Sequence, residues 1–161
     1  MASALVALTS SFPESRPIPD PSLRDLEISD LFRTEPVSPI EQADFFNAAV
    51  TASTQLPPGE LMAVLKLCER LLGRRRGRRW GPRRLDLDLL LYDRLVIRTP
   101  ELSIPHPRLA ERRFYLEPLA QIAPELRVPP DGSTVGELLA KAPAATSRRE
   151  RWPAAAKHLP S

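Results

Sequence analysis

Two aspartates one residue apart, Asp86 and Asp88, stand in the run LDLDLLLY directly after a stretch crowded with arginine. On an extended strand, residues two apart point to the same face with Cα atoms roughly 6.6 Å apart, so both carboxylates can reach one divalent ion or bridge two. Leu85, Leu87 and Leu89 then face the opposite, apolar layer. Alone, an Asp-x-Asp pair more often describes a solvent-facing strand edge, where alternate acids are common. The arginines change the balance. Arg74, Arg75, Arg76, Arg78, Arg79, Arg83 and Arg84 share a segment without Asp or Glu, and Arg83 lies three residues before the first aspartate. A cationic segment beside an acidic pair suits a metal-bound polyphosphate: metal ions sit between carboxylate and phosphate, while guanidiniums grip the remaining oxygens in bidentate fashion. The competing reading is a solvated charge run or an RNA-binding patch. Trp80 is the only aromatic in the run, which is sparse for a base-stacking platform, and Gly73, Gly77 and Gly81 suit a loop that folds over a ligand.

Charge and composition sharpen that picture. The net charge of +3 comes from 23 basic and 20 acidic residues. Outside the seven clustered arginines the remaining basic residues are outnumbered by the acids, so one basic patch sits on a mildly acidic protein, and its partner is a compact anion or a nucleic-acid backbone. With 161 residues the chain has room for one substantial core. A single cysteine, Cys68, excludes an intramolecular disulfide framework and a cysteine-based zinc site, consistent with a reducing cytoplasm. Its neighbours Val64, Leu65, Leu71 and Leu72 at helical spacing mark it as a buried thiol rather than a nucleophile. The start MASALVALTSSF reads as a first strand and not as a signal peptide, and no run approaches the ~20 apolar residues of a membrane span.

Residues 3–9, 25–33, 45–54 and 85–92 read as strands, the third with Phe46, Ala48, Val50 and Ala52 on one face. Between the first two, Pro13, Pro17, Pro19 and Pro21 forbid a regular helix. A helix begins near Pro58, carries Glu60 in its first turn and an apolar stripe at 61, 64, 65, 68, 71 and 72, and stops at Gly73. Asp93-Arg94 is expected to turn the fourth strand into a short RLVI partner in a hairpin. Prolines divide residues 100–130 into short helices and turns, with LAERR and PLAQIA as helical candidates. Thr134 and Glu137 match a capping box for GELLAKA. The expected organisation is one domain over 1–141 followed by a flexible tail over 142–161. The element order predicts an α+β fold, a ferredoxin-like sandwich with a mostly antiparallel sheet whose first helix is shortened or irregular.

Beyond these local patterns, RRWGPRRLDLDLLLY, followed by LSIPHPRLAERRFYLEPLAQIAPEL and preceded by FRTEPV and DFFNAAV, resembles the 6-hydroxymethyl-7,8-dihydropterin pyrophosphokinases of folate biosynthesis. The likeness covers roughly residues 32–130, and the joint occurrence of RWGPR and LDLD is far more specific than either motif alone. It implies transfer of the β,γ-pyrophosphoryl group of ATP to a reduced pterin, with two Mg²⁺ ions. On that resemblance Asp86 and Asp88 are metal ligands and, with Arg83 and Arg76, form the catalytic set. Glu69, Arg74, Trp80, Arg83, Ser103, His106 and Arg112 line the ATP site. Thr34, Phe45, Asn47, Trp80, Asp86 and Phe114 line the pterin site. The chain departs from the family where Thr9-Ser10-Ser11 replaces Gly-Ser-Asn and where Phe45 replaces an aromatic hydroxyl. The implied protein is a cytoplasmic monomer with small-molecule substrates and no nucleic-acid or membrane partner. The rival expectations are a nucleotide-binding or regulatory module that has lost turnover and, ranked lower, an RNA-binding sandwich.

Overall fold

The computed structural model of the chain describes residues 2–10, 23–35, 44–71 and 85–151. In chain order, strands β1 (Ala2–Ser10), β2 (Leu23–Ile28), β3 (Leu31–Thr34) and β4 (Phe45–Thr54) precede helix α1 (Pro58–Leu71). Then come β5 (Asp86–Tyr92), β6 (Ile97–Arg98), β7 (Ser103–Ile104), α2 (Arg113–Ile122), β8 (Arg127–Val128), β9 (Ser133–Thr134), α3 (Val135–Lys141) and β10 (Ser147–Glu150). Every strand pairing among the described residues is antiparallel, as expected of an α+β fold. The proline-rich link expected to replace a first helix lies outside the described residues.

The main sheet runs β10-β3-β4-β1-β5, with β2 also on β4. FFNAAVTAST is long enough to take two partners on one side: its first residues pair with β3 and its later ones with β2. Residues 25–33, expected as one strand, are therefore two. The break falls at Ser29-Asp30, where the Ser29 amide donates to Ala49 O (3.0 Å) and the Ala49 amide donates to Ser29 Oγ (2.9 Å). The hydroxyl thus replaces a missing ladder acceptor at a buried position.

Leu87 and Leu89 of β5 pack with Leu61 and Leu65 of α1, whereas Leu90 and Leu91 join Tyr115, Leu116 and Leu119 of α2 and Val135 of α3. Strict alternation cannot send adjacent residues to the same side. A bulge does so: opposite Leu5 and Val6 of β1, strand β5 inserts Leu90 as an extra residue, and Tyr92 returns to the α1 side. The helices consequently cover both faces of the sheet, α1 on one and α2 with α3 on the other.

Three local expectations need correction. The RLVI segment does not form a hairpin with β5; β6 pairs with β7 instead. The free edge of β5 is already taken, since Leu87 O accepts from Lys66 and Leu90 O accepts from the His106 amide. LAERR forms a turn, with the Leu109 amide on His106 O, and Arg112 at φ −103° and ψ 101° interrupts helical geometry before α2 begins. Finally, the stretch expected to be a flexible tail contains β10, which zips onto β3. Apolar periodicity is absent there because polar contacts hold it: Arg149 to Asp30 (2.6 Å), Arg33 to Glu150 (3.7 Å) and Ser147 Oγ to Glu117. Residues 152–161 lie outside the described residues. The capping box forms as expected, with Thr134 Oγ1 accepting from the Glu137 amide and Glu137 accepting from the Thr134 amide.

Candidate active site

The sheet register aligns the first chemical groups. Asp86 of β5 pairs with Thr9 of β1, which pairs on its other side with Asn47 of β4, and Asn47 pairs with Phe32 of β3. Two strand spacings separate Asp86 from Asn47, or roughly 10 Å. Asp88, two residues along, is opposite Ala7. Both aspartates are half-buried and lie on the face opposite the buried Leu85, Leu87 and Leu89, as the alternation predicted.

Helix α1 pins this part of β5 from the side. Glu69 is only 1% exposed, and its Oε1 accepts from the Leu87 amide (2.8 Å) and from Lys66 Nζ (2.7 Å). Lys66 also donates to Leu87 O (3.0 Å). Two side chains one helical turn apart thereby satisfy both backbone groups of the residue between the two aspartates, on the side of β5 where no strand pairs with it among the described residues. Glu69, expected at the ATP site, is thus at least a tether of the acid-bearing strand.

On the other face, α2 supplies a second tether. The Tyr115 hydroxyl donates to Asp88 Oδ2 (2.7 Å) and accepts from Arg112 Nη1 (2.8 Å). Burial, with the Asp88 carboxylate beside it, pushes the phenol well above its ordinary value, so it remains a donor at any physiological pH. The Arg112 guanidinium lies 5.4 Å from the Phe114 ring centre and 5.3 Å from that of Tyr115. The Tyr115 ring meets Phe114 edge-on at 4.6 Å and His106 at 5.2 Å.

His106 is placed by its backbone, whose amide donates to Leu90 O (2.8 Å) at the bulge. Its Nδ1 accepts from the Arg108 amide (3.2 Å), so a neutral ring carries its proton on Nε2. Burial pushes the imidazole below its usual value; Asp88 opposes that shift, while Arg112, Arg108 and Lys66 reinforce it. Ser103 sits on β7, opposite Arg98 and three residues before His106.

At the far end of the row, Asn47 is 2% exposed, and its Nδ2 donates to Thr34 Oγ1 (2.8 Å) and to Phe32 O (3.2 Å). Thr34 pairs with Phe45. Asn47, Thr34 and Phe45 are therefore brought together, as are Asp88, Arg112, His106 and Phe114. Arg74, Arg76, Trp80 and Arg83 lie outside the described residues.

Sequence reasoning did not single out Tyr115 or Lys66. An i, i+3 Lys–Glu pair on α1 was visible, but it looks the same on any solvated helix face. A lone tyrosine in an amphipathic helix gives no signal of its partner.

Among the described residues, no group of three or more His, Cys, Asp or Glu forms a metal cage. Asp86 and Asp88 by themselves offer hard oxygen donors on one face. That set fits a cation that completes its shell with water and phosphate oxygens, which is the habit of Mg²⁺ rather than of a structural zinc.

Residues 5–124 match the model of the 7,8-dihydro-6-hydroxymethylpterin-pyrophosphokinase family. The 2-amino-4-hydroxy-6-hydroxymethyldihydropteridine pyrophosphokinase of Pseudomonas aeruginosa is 42% identical over 123 residues, 76% of this chain and 75% of that protein. Its counterpart in Bacillus subtilis is 46% identical over 100 residues, 62% of this chain and 60% of that one. The fold is similar to that of Plasmodium falciparum HPPK-DHPS solved with pteroate, at a TM-score of 0.66 and 14% identity, covering 87% of this chain and 42% of that one. That likeness extends the agreement to the architecture, and the sequence matches settle the family: the chain belongs to the 7,8-dihydro-6-hydroxymethylpterin-pyrophosphokinases.

Proposed function

We propose that the protein transfers the pyrophosphoryl group of ATP to the hydroxymethyl group of 6-hydroxymethyl-7,8-dihydropterin, giving AMP and the pterin diphosphate, in folate biosynthesis. The observation that carries this reading is the register row joining Asp86 to Asn47 through Thr9, inside a chain that belongs to the family. In that row Asp86, an acid suited to the phosphate side, and Asn47, an amide suited to a heterocycle edge, are two strand spacings apart, roughly 10 Å.

In this reading Asn47, Thr34, Phe45 and Phe114 bind the pterin, with Phe45 and Phe114 offering ring faces. Glu69, Ser103, His106 and Arg112 line the nucleotide side, and Arg74, Arg76, Trp80 and Arg83 belong to the segment that closes on it. Asp86 and Asp88 hold Mg²⁺, two ions in all, whose role when bound is to neutralise phosphate charge. The pterin hydroxyl oxygen bonds to the β-phosphorus, the bond from that phosphorus to the α,β-bridging oxygen breaks, AMP leaves, and the hydroxyl proton passes to solvent. Such a step needs alignment and charge neutralisation more than proton transfer, and arginines with a cation-binding acid pair provide both. The protein is taken to act as a cytoplasmic monomer on small molecules, without nucleic-acid or membrane partners; no described helix is long and apolar enough to cross a membrane.

The test is AMP release from ATP and Mg²⁺ with and without the reduced pterin. Pterin-dependent AMP is expected, and Asp88→Asn should reduce it by at least ~100-fold, since removing one electrostatic contact of this kind costs about 10²–10³ in rate. Absence of pterin-dependent AMP from folded protein would reject the reading.

A further inference from the structure

Tyr115 occupies a place where an apolar ring alone would satisfy packing. It is 1% exposed and belongs to the cluster with Leu90, Leu109, Leu116 and Leu119. Its hydroxyl nevertheless forms two hydrogen bonds, one to each side, and the direction of both is forced. A guanidinium can only donate, so Arg112 Nη1 uses the phenol's acceptor capacity, and the phenolic hydrogen must go to Asp88 Oδ2. The order Arg112 to Tyr115 to Asp88 cannot run the other way.

The terminal torsion of an aspartate is broad and roughly two-fold, so a carboxylate on a strand does not choose its own orientation. A donor on Oδ2 makes that choice. The donor is itself held, since the Tyr115 ring meets His106 and Phe114 edge-on and lies beside the Arg112 guanidinium. Its Cα belongs to the first turn of a helix packed on the sheet. Outer groups that orient a metal-binding carboxylate in this way raise metal affinity without touching the metal.

We infer that Tyr115 is a positioning residue for the cation site: its hydroxyl fixes the orientation of the Asp88 carboxylate and couples that orientation to Arg112. The inference rests on the reading of Asp88 as a metal ligand. It adds a determinant on α2, outside the acid-bearing strand and the arginine segment.

The test uses Tyr115→Phe, which keeps the ring and its edge contacts, and Tyr115→Met, which keeps an apolar side chain without a hydroxyl. Mn²⁺ binding to the full-length protein is measured by electron paramagnetic resonance in the presence of a non-hydrolysable α,β-methylene analogue of ATP, alongside the melting temperature and the Mg²⁺ dependence of AMP release. Both variants should bind Mn²⁺ about 10-fold more weakly, the lower end of the usual effect of such outer groups. Tyr115→Phe should melt near the wild type, need correspondingly more Mg²⁺ for half-maximal rate, and keep the pterin KM within about twofold. In an Asp88→Asn background, adding Tyr115→Phe should weaken Mn²⁺ binding no further, because the group it orients has been altered.

A Tyr115→Phe protein whose Mn²⁺ isotherm overlays the wild type overturns the inference, as does a loss of melting temperature without a shift in metal dependence. If Asp88→Asn abolishes Mn²⁺ binding while Tyr115→Phe leaves it unchanged, the metal reading stands and the Tyr115 inference alone fails. If Asp88→Asn leaves Mn²⁺ binding intact, both fall together.

Discussion

Replacing Glu69 by alanine removes the acceptor of two hydrogen bonds at the edge of β5, from the Leu87 amide and from Lys66 Nζ. The two partners respond differently. Lys66 is about one-third exposed and keeps its bond to Leu87 O, so water can replace the lost carboxylate at little cost. The Leu87 amide belongs to a buried residue packed under α1, where an unmet donor costs about 1–3 kcal/mol, and its bond to a charged acceptor contributes about 1.5–3 kcal/mol. These figures overlap, since both describe one lost bond, and about 3 kcal/mol is expected for Glu69→Ala. Glu69→Gln keeps an oxygen for the amide and loses only the charge, for about 1 kcal/mol. In a protein of this size each kcal/mol moves the melting temperature by about 2–4 °C. Calorimetry should therefore place Glu69→Ala about 6–12 °C below the wild type and Glu69→Gln about 2–4 °C below. Urea midpoints should shift in the same order without a change of slope. A Glu69→Ala protein that melts within 2 °C of the wild type would refute the idea that this carboxylate secures the acid-bearing strand. Equal losses for the two variants would show that charge, not the Leu87 bond, is what matters.

Three further outcomes follow from the geometry. His106 is depressed below its ordinary 6.5, so as pH falls the unfolded chain takes up this proton before the folded one; the His106 contribution is intact above 6.5 and is lost as pH drops toward the folded value. Urea unfolding of His106→Gln should accordingly show a flatter stability profile just below pH 6.5, and a profile parallel to the wild type would contradict the burial argument. Ending the chain after Thr146 removes β10, exposes the edge of β3 and frees Asp30 from Arg149. Because β3 carries Thr34, the acceptor for Asn47, the pterin KM should rise about 5-fold, corresponding to about 1 kcal/mol, with the ATP KM within twofold; equal changes in both would count against it. Thr134→Ala deletes the capping box of α3 and should cost about 1 kcal/mol in urea titrations with AMP release unchanged.

The chemistry and the core elements were legible because they depend on local pattern. Alternation around Asp86 and Asp88 is a property of any strand, and the Pro58 start and the Thr134–Glu137 box are contacts within one or two turns. The order of motifs from FRTEPV to APEL carried the family, in agreement with the match over residues 5–124. What stayed hidden joins residues far apart in the chain. Ser29 bridges to Ala49, Tyr115 reaches back to Asp88, and β10 closes on β3 through Arg149 and Asp30, 119 residues apart. The failed hairpin after β5 has the same origin: 93–94 does turn, with the Leu95 amide on Tyr92 O, but α1 and His106 already occupy the edge that the returning strand needed.

The sequence by itself therefore determined which groups are present and which face of its own strand or helix each occupies, because backbone geometry imposes periods of 2 and 3.6 whatever surrounds the segment. Only the tertiary structure decided how they are aimed. The bulge at Leu90 lets β5 serve both faces of the sheet and offers a carbonyl to His106, and Glu69 and Tyr115 approach the acid pair from helices on opposite faces. A hydrogen bond depends on distance and direction in space, which a one-dimensional pattern does not encode.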